Sequence, residues 1–323
     1  MTDTANLTER MLFLSQIPVA AWVPPRVLRA IATYLAPRTF APGEIVIRRG
    51  EPVEAMYLLV DGGLALVRDE KKIGELDAPQ TIGFLGILAR QEATYDAIAK
   101  GDVRAYELET DTLLELFEDH FPLYAATLRY LAERLYFDMK DLPQEMLGMP
   151  SMDLGTIGDR QPDLIEHVLM LRKTSAFSTA NVNALASMVR GMEPFREAAF
   201  TRLWGPGDRP DRALFLLEGT ALCRTDDGRV FRYGPGTTVG GLELLCGQPR
   251  WYEVLTETPC VGLWGSTDDL LDLFEHQFRM AMDFVSALAR AQLGLLDRRA
   301  KLGQNPLAAV RQIKKVGTVR YGA

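Results

Sequence analysis

TDTLLELFEDHF, Thr110–Phe121, returns 157 residues later as TDDLLDLFEHQF, Thr267–Phe278, with eight of twelve positions identical. The same offset, without a gap, sets Gly50 on Gly207, Gly62 on Gly219 and Gly83 on Gly240. It also sets Leu7, Leu12 and Leu28 on Leu164, Leu169 and Leu185. One segment can match by chance; several in one register imply two copies of one structural unit. The spacing predicts domains over 1–140 and 162–297, a linker over 141–161 and a basic tail over 298–323. The linker region, LPQEMLGMPSMDLGTIGDRQPD, is rich in Pro and Gly, which break regular elements. It is also apolar enough to be expected packed on a domain rather than free.

Each copy carries the same order of elements. Helical patterns come first, with Leu7, Met11, Leu12 and Leu14, then Val27, Leu28 and Ile31, in copy one. Short apolar runs separated by turns follow. AMYLLVDGGLALV (55–67) and RALFLLEGTALCR (212–224) each read as a hairpin around an acid–Gly turn, and Asp227-Gly228 signals another. An amphipathic helix closes each copy, with Thr110-Asp111 and Thr267-Asp268 as N-cap candidates. Helices, about eight short antiparallel strands and helices again predict an α+β fold of two tandem β-rolls, each flanked by helices. On the last helix Ala281, Phe284, Leu288, Ala291 and Leu295 form one stripe. It is expected to pack on its own roll or the linker, with a homodimer seam as the alternative.

Composition excludes several classes. The 323 residues are 47% apolar and 24% charged with a net charge of −7, which is neither a disordered chain nor a nucleic-acid coat. Arg298, Arg299, Lys301, Arg311, Lys314, Lys315 and Arg320 make the tail basic. That pattern suits a solvated face or a docking segment for an acidic partner. Cys223, Cys246 and Cys260 give no disulfide framework, and with no signal-peptide pattern or membrane span the expected location is cytoplasmic. His120, His167 and His276 lack metal-ligand spacing, so no metal is expected, and His120 and His276 are expected at the surface. No Walker loop, nucleophile elbow or supported carboxylate pair is present, so the chain is expected not to be an enzyme. LRKTSAF (171–177) looks like a basic phosphorylation site, but its place among the first helices of copy two favours packing.

FAPGEIVIRRGEPVEAMYLLVDGGLALV (40–67) resembles the opening of the cyclic-nucleotide-binding domain. Phe40, Pro42, Gly43, Glu44, Gly50, Glu51, Tyr57, Leu59 and Gly62 fit that pattern, and copy two keeps Gly207, Asp208, Phe215 and Gly219. The resemblance implies a β-roll and a short phosphate-binding cassette in each copy. In that cassette a glycine and a following helix offer N–H groups to the phosphate, a Glu accepts a ribose hydroxyl and an Arg neutralises the phosphate.

Against this pattern both cassettes are degenerate. In copy one, IGFLGILARQEATYDA (82–97), Gly83 fits, Phe84 replaces the Glu, Ala93 replaces the Arg, and Asp96 adds an unwelcome charge. Losing two charge-assisted hydrogen bonds removes about 3–6 kcal/mol, roughly 10²–10⁴-fold in affinity. In copy two, VGGLELLCGQPRWYEV (239–254), Gly240, Leu242, Leu244, Pro249 and Arg250 fit, while Gly241 replaces the Glu. Trp251 and Tyr252 replace small residues and are expected to obstruct a phosphate; Glu243 is expected to point away, and Glu253 to pair with Arg250. Tyr95 and Tyr252 are a shared departure, each followed by an acid. The candidate ligand residues are therefore Gly83 and Tyr95 in copy one, and Gly240, Gly241, Leu242, Arg250, Trp251 and Tyr252 in copy two. Cys246 lies within the second cassette as a buried hydrophobe or a reactive thiol.

Bacterial relatives of this family add a DNA-binding helix-turn-helix, but only about 26 residues follow copy two, so no DNA partner is expected. Tandem copies resemble the regulatory subunits of cyclic-AMP-dependent protein kinase. The resemblance implies a regulatory or adaptor protein acting through another protein, with no obligatory cofactor. The alternative is a receptor in which copy two binds a cyclic nucleotide or another small anion.

Overall fold

The structure, a computed structural model, describes residues 2–301 except 149, 150, 159, 161, 175, 176 and 179. The part of the basic tail beyond Lys301 and Ser175-Ala176 of the LRKTSAF stretch lie outside the described residues. The chain forms two compact units. Unit one comprises Met1–Ala126 with the described residues from Arg290 on, and unit two is Thr127–Ala289.

Unit one opens with α1 (Thr2–Leu14) and α2 (Pro25–Tyr34). Pro24 and Pro25 start α2, as fits a position whose N–H has no helical acceptor. Strands β1 (Ala36–Phe40), β2 (Ile45–Ile47), β3 (Ala55–Asp61), β4 (Gly63–Arg68), β5 (Lys71–Asp77) and β6 (Thr81–Ile82) follow. Then come α3 (Phe84–Ala89), β7 (Asp96–Ala99), β8 (Val103–Glu109), α4 (Thr110–Asp119) and α5 (Phe121–Lys140). The strands form two antiparallel sheets, β1-β8-β3-β6 and β2-β7-β4-β5. Side chains alternating inward from both sheets, among them Phe40, Leu59, Leu64, Leu66, Ala97, Ala99, Val103 and Ala105, make the core of the roll.

Unit two repeats this order. It has α6 (Leu164–Lys173), α7 (Val182–Gly191), β9 (Glu193–Glu197), β10 (Arg202–Trp204), β11 (Ala213–Glu218), β12 (Ala221–Thr225) and β13 (Val230–Tyr233). Strand β14 (Thr238–Val239), α8 (Gly241–Cys246), β15 (Tyr252–Thr256), β16 (Cys260–Gly265), α9 (Thr267–His276) and α10 (Phe278–Lys301) complete it. Its sheets run β14-β11-β16-β9 and β10-β15-β12-β13.

Several details differ from the sequence reading. The two runs around each acid–Gly turn do not pair: β3 joins β8 and β6, whereas β4 joins β5 and β7. Asp61-Gly62 and Glu218-Gly219 are corners that carry the chain from one sheet to the other. A Cβ at Gly62 would sit 2.5 Å from the Asp102 carbonyl oxygen, and one at Gly219 would sit 2.3 Å from that of Pro259, so only glycine fits. Asp227-Gly228 does turn a true hairpin, β12–β13. The N-caps of α4 and α9 fall one residue early, at Glu109 and Ser266, and Ser266 accepts from the Asp269 N–H. Thr110 instead donates to the Val53 carbonyl at 2.8 Å, which ties the helix start to the roll.

The buried face of α10 keeps Ala281 and Leu295 of the predicted stripe and is shifted by one residue between them. Met282, Val285, Ser286, Ala289, Gln292 and Leu295 are buried, while Ala291 is exposed. Two polar residues on that face hid its period. The Phe284 ring lies tilted against those of Phe177 and Phe274, with centroids at 6.0 and 5.1 Å.

The segment between the copies does pack as expected, within unit two. Leu142, Leu154 and Ile157 are buried. Arg229 donates to the Lys140 and Leu142 carbonyls at 2.8 and 2.7 Å, and the Glu218 carboxylate accepts from the Ile157 and Gly158 N–H groups at 2.6 and 3.1 Å. Among the described residues no helix is long and apolar enough to cross a membrane.

Candidate functional site: two self-satisfied cassettes

In unit two, β14 runs into Gly240, whose φ of +76° turns the chain into α8; Gly247, at φ +69°, ends that helix in the left-handed region. The Gln248-Pro249 step then delivers Arg250. Its N–H donates to the Asp208 carbonyl at 2.9 Å, and its own carbonyl accepts from the Gly207 N–H at 2.8 Å. Arg250 is thus locked to the glycine turn that the repeat shares with Gly50.

The Arg250 side chain is 2% exposed, and both of its terminal nitrogens are engaged. Nη1 donates to the Gly240 carbonyl at 2.8 Å, and Nη2 donates to the Arg212 carbonyl. The guanidinium lies 4.2 Å from the centre of the Trp204 ring, a cation–π contact. Glu243 comes within 4.0 Å of Nη1. The sequence reading had Glu243 pointing away; it points inward beneath the arginine, because the six-residue α8 presents its short inner side to the roll. Burial raises the Glu243 carboxyl, while Arg250 and donors on Trp251 and Tyr252 favour its charged form. Burial also loosens the Arg250 proton, and Glu243 opposes that.

Glu253 does not reach Arg250; it binds Arg202 at 3.0 Å on the outer side of the sheet. Trp251 and Tyr252 are not plugs over the helix end. Both are buried, packed on Phe231 at 5.8 and 5.2 Å, and so belong to the roll's core. The Cys246 thiol is buried and pushed up to about 12 by that burial, which leaves it a small hydrophobe. Of the histidines, His276 is exposed and His167 is buried in α6.

In unit one, Gly83, at φ +92°, again opens the short helix, and a Cβ there would meet the Ala55 carbonyl oxygen at 2.6 Å. Ala93, at the position of Arg250, is buried; its N–H donates to the Glu51 carbonyl at 3.0 Å. Asp96 alternates out of the core and accepts the Arg49 N–H at 2.8 Å, so its charge is spent on a turn rather than aimed at the cassette. Tyr95 is partly buried against the core cluster, and burial pushes its phenol up to about 12.

The sequence reading missed Arg68. In β4 it follows Leu64 and Leu66 on the inward-facing alternation. Its Nε donates to the Thr94 carbonyl at 2.7 Å, and Nη2 donates to Thr94 Oγ1 at 2.8 Å and to Asp297 Oδ1 at 2.7 Å. GLALVR ends an apolar alternation with a cation, which was the available signal.

Each cassette is also touched by the second half of a closing helix. In unit two, Tyr136 of α5 donates to the Pro249 carbonyl at 3.0 Å, and Glu133 accepts from Gln248 at 3.1 Å. In unit one, Arg290 of α10 donates to the Ala89 carbonyl at 3.3 Å, and Asp297 binds Arg68. Glu133 and Arg290 occupy the same repeat position.

A family model of the cyclic nucleotide-binding domain matches residues 37–120 and 198–277, one stretch in each copy. The chain belongs to the cyclic nucleotide-binding domain family. Among curated members, the cAMP-dependent protein kinase regulatory subunit of Hypocrea atroviridis is 28% identical over 96 residues, covering 30% of this chain and 21% of that one. The potassium/sodium hyperpolarization-activated cyclic nucleotide-gated channel 4 of Homo sapiens is 24% identical over 251 residues, covering 74% of this chain and 20% of that one. The chain thus spans about a fifth of the length of these curated relatives. Among solved structures of the family, cAMP-bound PfPKA-R superposes with a TM-score of 0.36 at 14% identity, covering 94% of both chains. The regulatory domain of Toxoplasma gondii PKA with cAMP gives a TM-score of 0.35 at 15% identity, covering 89% of this chain and 97% of that one.

Proposed function

We propose that this protein is a non-enzymatic regulatory or adaptor protein whose two cyclic nucleotide-binding-type domains act through contact with another protein. The domains are taken as 1–140 and 162–297, joined by the segment 141–161 and followed by a basic tail over 298–323. The cassette residues Gly83, Tyr95, Gly240, Gly241, Leu242, Arg250, Trp251 and Tyr252 serve the fold rather than a nucleotide. One observation carries this reading: Arg250, the cassette arginine at its motif position, is buried and donates from both terminal nitrogens to the Gly240 and Arg212 carbonyls. A phosphate would have to enter a site that is 2% exposed and compete with both carbonyls and with Glu243. A kinase regulatory subunit and a gated channel among the relatives support a control role. The partner is expected to be a cytoplasmic protein rather than DNA.

One feature favours the alternative receptor reading. Trp204 Nε1 is buried beside Arg250 and has no acceptor among the described residues, so a ligand oxygen could use it. Thermal melting separates the two. A ligand at a hundredfold excess over its dissociation constant adds about 2.7 kcal/mol of stability, which moves a domain of this size by several degrees. Millimolar cyclic AMP, cyclic GMP or a cyclic dinucleotide is expected to leave the melting temperature unchanged. A saturable rise at micromolar nucleotide would overturn the adaptor reading.

A further inference from the structure

We propose that Asp297 is a tethered carboxylate ligand of Arg68, and that the pair is a latch holding the end of α10 on roll one, opened by an oxyanion that competes for the guanidinium. This deepens the reading above by giving the first cassette a regulated contact, and it rests on that reading only in taking the cassette as self-satisfied.

The geometry is that of a site built to hold one anion. Two donors of Arg68 are fixed by the backbone carbonyl and the hydroxyl of Thr94, which aims the guanidinium, and Nη2 then meets the Asp297 carboxylate at 2.7 Å. A planar fork held in this way favours oxyanions over water. The Arg68 side chain is 19% exposed and that of Asp297 is 37% exposed, so the pair is shielded enough to matter and open enough for a small anion to enter. Tyr95, one residue before β7, packs against the core cluster of the roll.

The latch has no counterpart in unit two. The repeat positions of Arg68 and Asp297 are Thr225 and Lys140, both of which lie in unit two. There Thr225 binds Asp227 within its own turn, and the Lys140 backbone carbonyl, not its side chain, takes a bond from Arg229. Unit two therefore carries neither charge at the equivalent positions. Arg290 lies seven residues, about two turns, before Asp297 and so on the same face of α10. Its bond to the Ala89 carbonyl at 3.3 Å gives the helix a second, weaker tie to the same cassette.

The test uses hydrogen exchange of the full chain, reading the amides of residues 290–301. Asp297→Asn keeps shape and removes the charge; it is expected to speed exchange there by at least about fivefold, the effect of losing a charge-assisted hydrogen bond. Asp297→Glu is expected to restore much of the protection. Inorganic phosphate, compared with sodium chloride at equal ionic strength, is expected to accelerate the same amides saturably in the wild type and to have no effect on Asp297→Asn. Equal exchange in wild type and Asp297→Asn would overturn the latch. An effect of Asp297→Asn without any phosphate response beyond that of chloride would overturn the competing oxyanion. Neither readout involves a cyclic nucleotide, so failure here is distinct from a melting shift that would overturn the adaptor reading.

Discussion

At the scale of single residues, Arg250 changes meaning between sequence and structure. Its motif position was legible, but its partners were not, because the Arg212 carbonyl, Trp204 and Glu243 reach it from three separate elements. A buried arginine with its carboxylate removed, or the reverse, leaves an unpaired charge, which costs about 3–5 kcal/mol. Arg250→Met is therefore expected to destabilise unit two by that amount in urea denaturation. The double change Arg250→Met with Glu243→Gln should recover a large part of it, a non-additivity that two independent sites would not show. Glycines give a sharper contrast. A Cβ at Gly240 would lie 2.1 Å from Arg250 Nη1 at a φ of +76°, whereas Gly43, at φ +82°, has nothing within 4 Å. Gly240→Ala should cost at least about 2 kcal/mol, and Gly43→Ala only about 1 kcal/mol. The repeat position of Gly43 is Phe200, which keeps a left-handed φ of +65° with its ring 82% exposed. Phe200→Gly should therefore leave stability unchanged or raise it by up to about 1 kcal/mol. A loss there would show that the ring packs in solution.

At the scale of elements, α6 carries the clearest local signal: Asp163 and Glu166 form a complete capping box, each accepting a backbone N–H at 2.9 Å. Asp163→Ala is expected to cost about 1 kcal/mol. Glu166 also binds Arg160, and that bond, followed by the Asp163 N–H, holds its carboxyl down to about 2. A depressed carboxyl adds stability that is present above its unfolded value, near about 4.3, and is lost as pH falls through the folded value. The melting temperature of Glu166→Gln should lie below wild type at neutral pH, and the gap should close between about pH 5 and about pH 2. A gap constant with pH would mean that the carboxylate charge contributes nothing. The strands and helices themselves were readable because turn glycines and apolar alternation are local. Strand partners were not: nothing in AMYLLVDGGLALV says that its two runs enter different sheets, since the corner is set by the approach of Gly62 to the Asp102 carbonyl, forty residues on. The face of α10 was misplaced for a similar reason, because Ser286 and Gln292 are buried on it.

At the scale of the whole molecule, the duplication was the most legible feature, and the assignment of helix ends to compact units the least. No local pattern shows that residues from Thr127 of α5 belong with unit two, or that residues from Arg290 of α10 belong with unit one. This arrangement predicts an asymmetric response to truncation. A chain ending at Ala289 loses Arg290 and Asp297, and should lose hydrogen-exchange protection in β4 and β7 of roll one while unit two keeps its own. Equal loss in both units would contradict the division. The linker has a parallel test: Arg229→Ala removes the bonds to the Lys140 and Leu142 carbonyls, and a glutamate-specific protease should then cut at Glu145 faster. Unchanged cleavage would show that the buried Leu142, Leu154 and Ile157 hold the segment without it. The central claim, that both cassettes are satisfied by their own chain, is tested most directly by isothermal titration calorimetry of the full protein with cyclic AMP and cyclic GMP. The account predicts no saturable heat with either nucleotide up to millimolar concentration; a one-site isotherm in the micromolar range would contradict it.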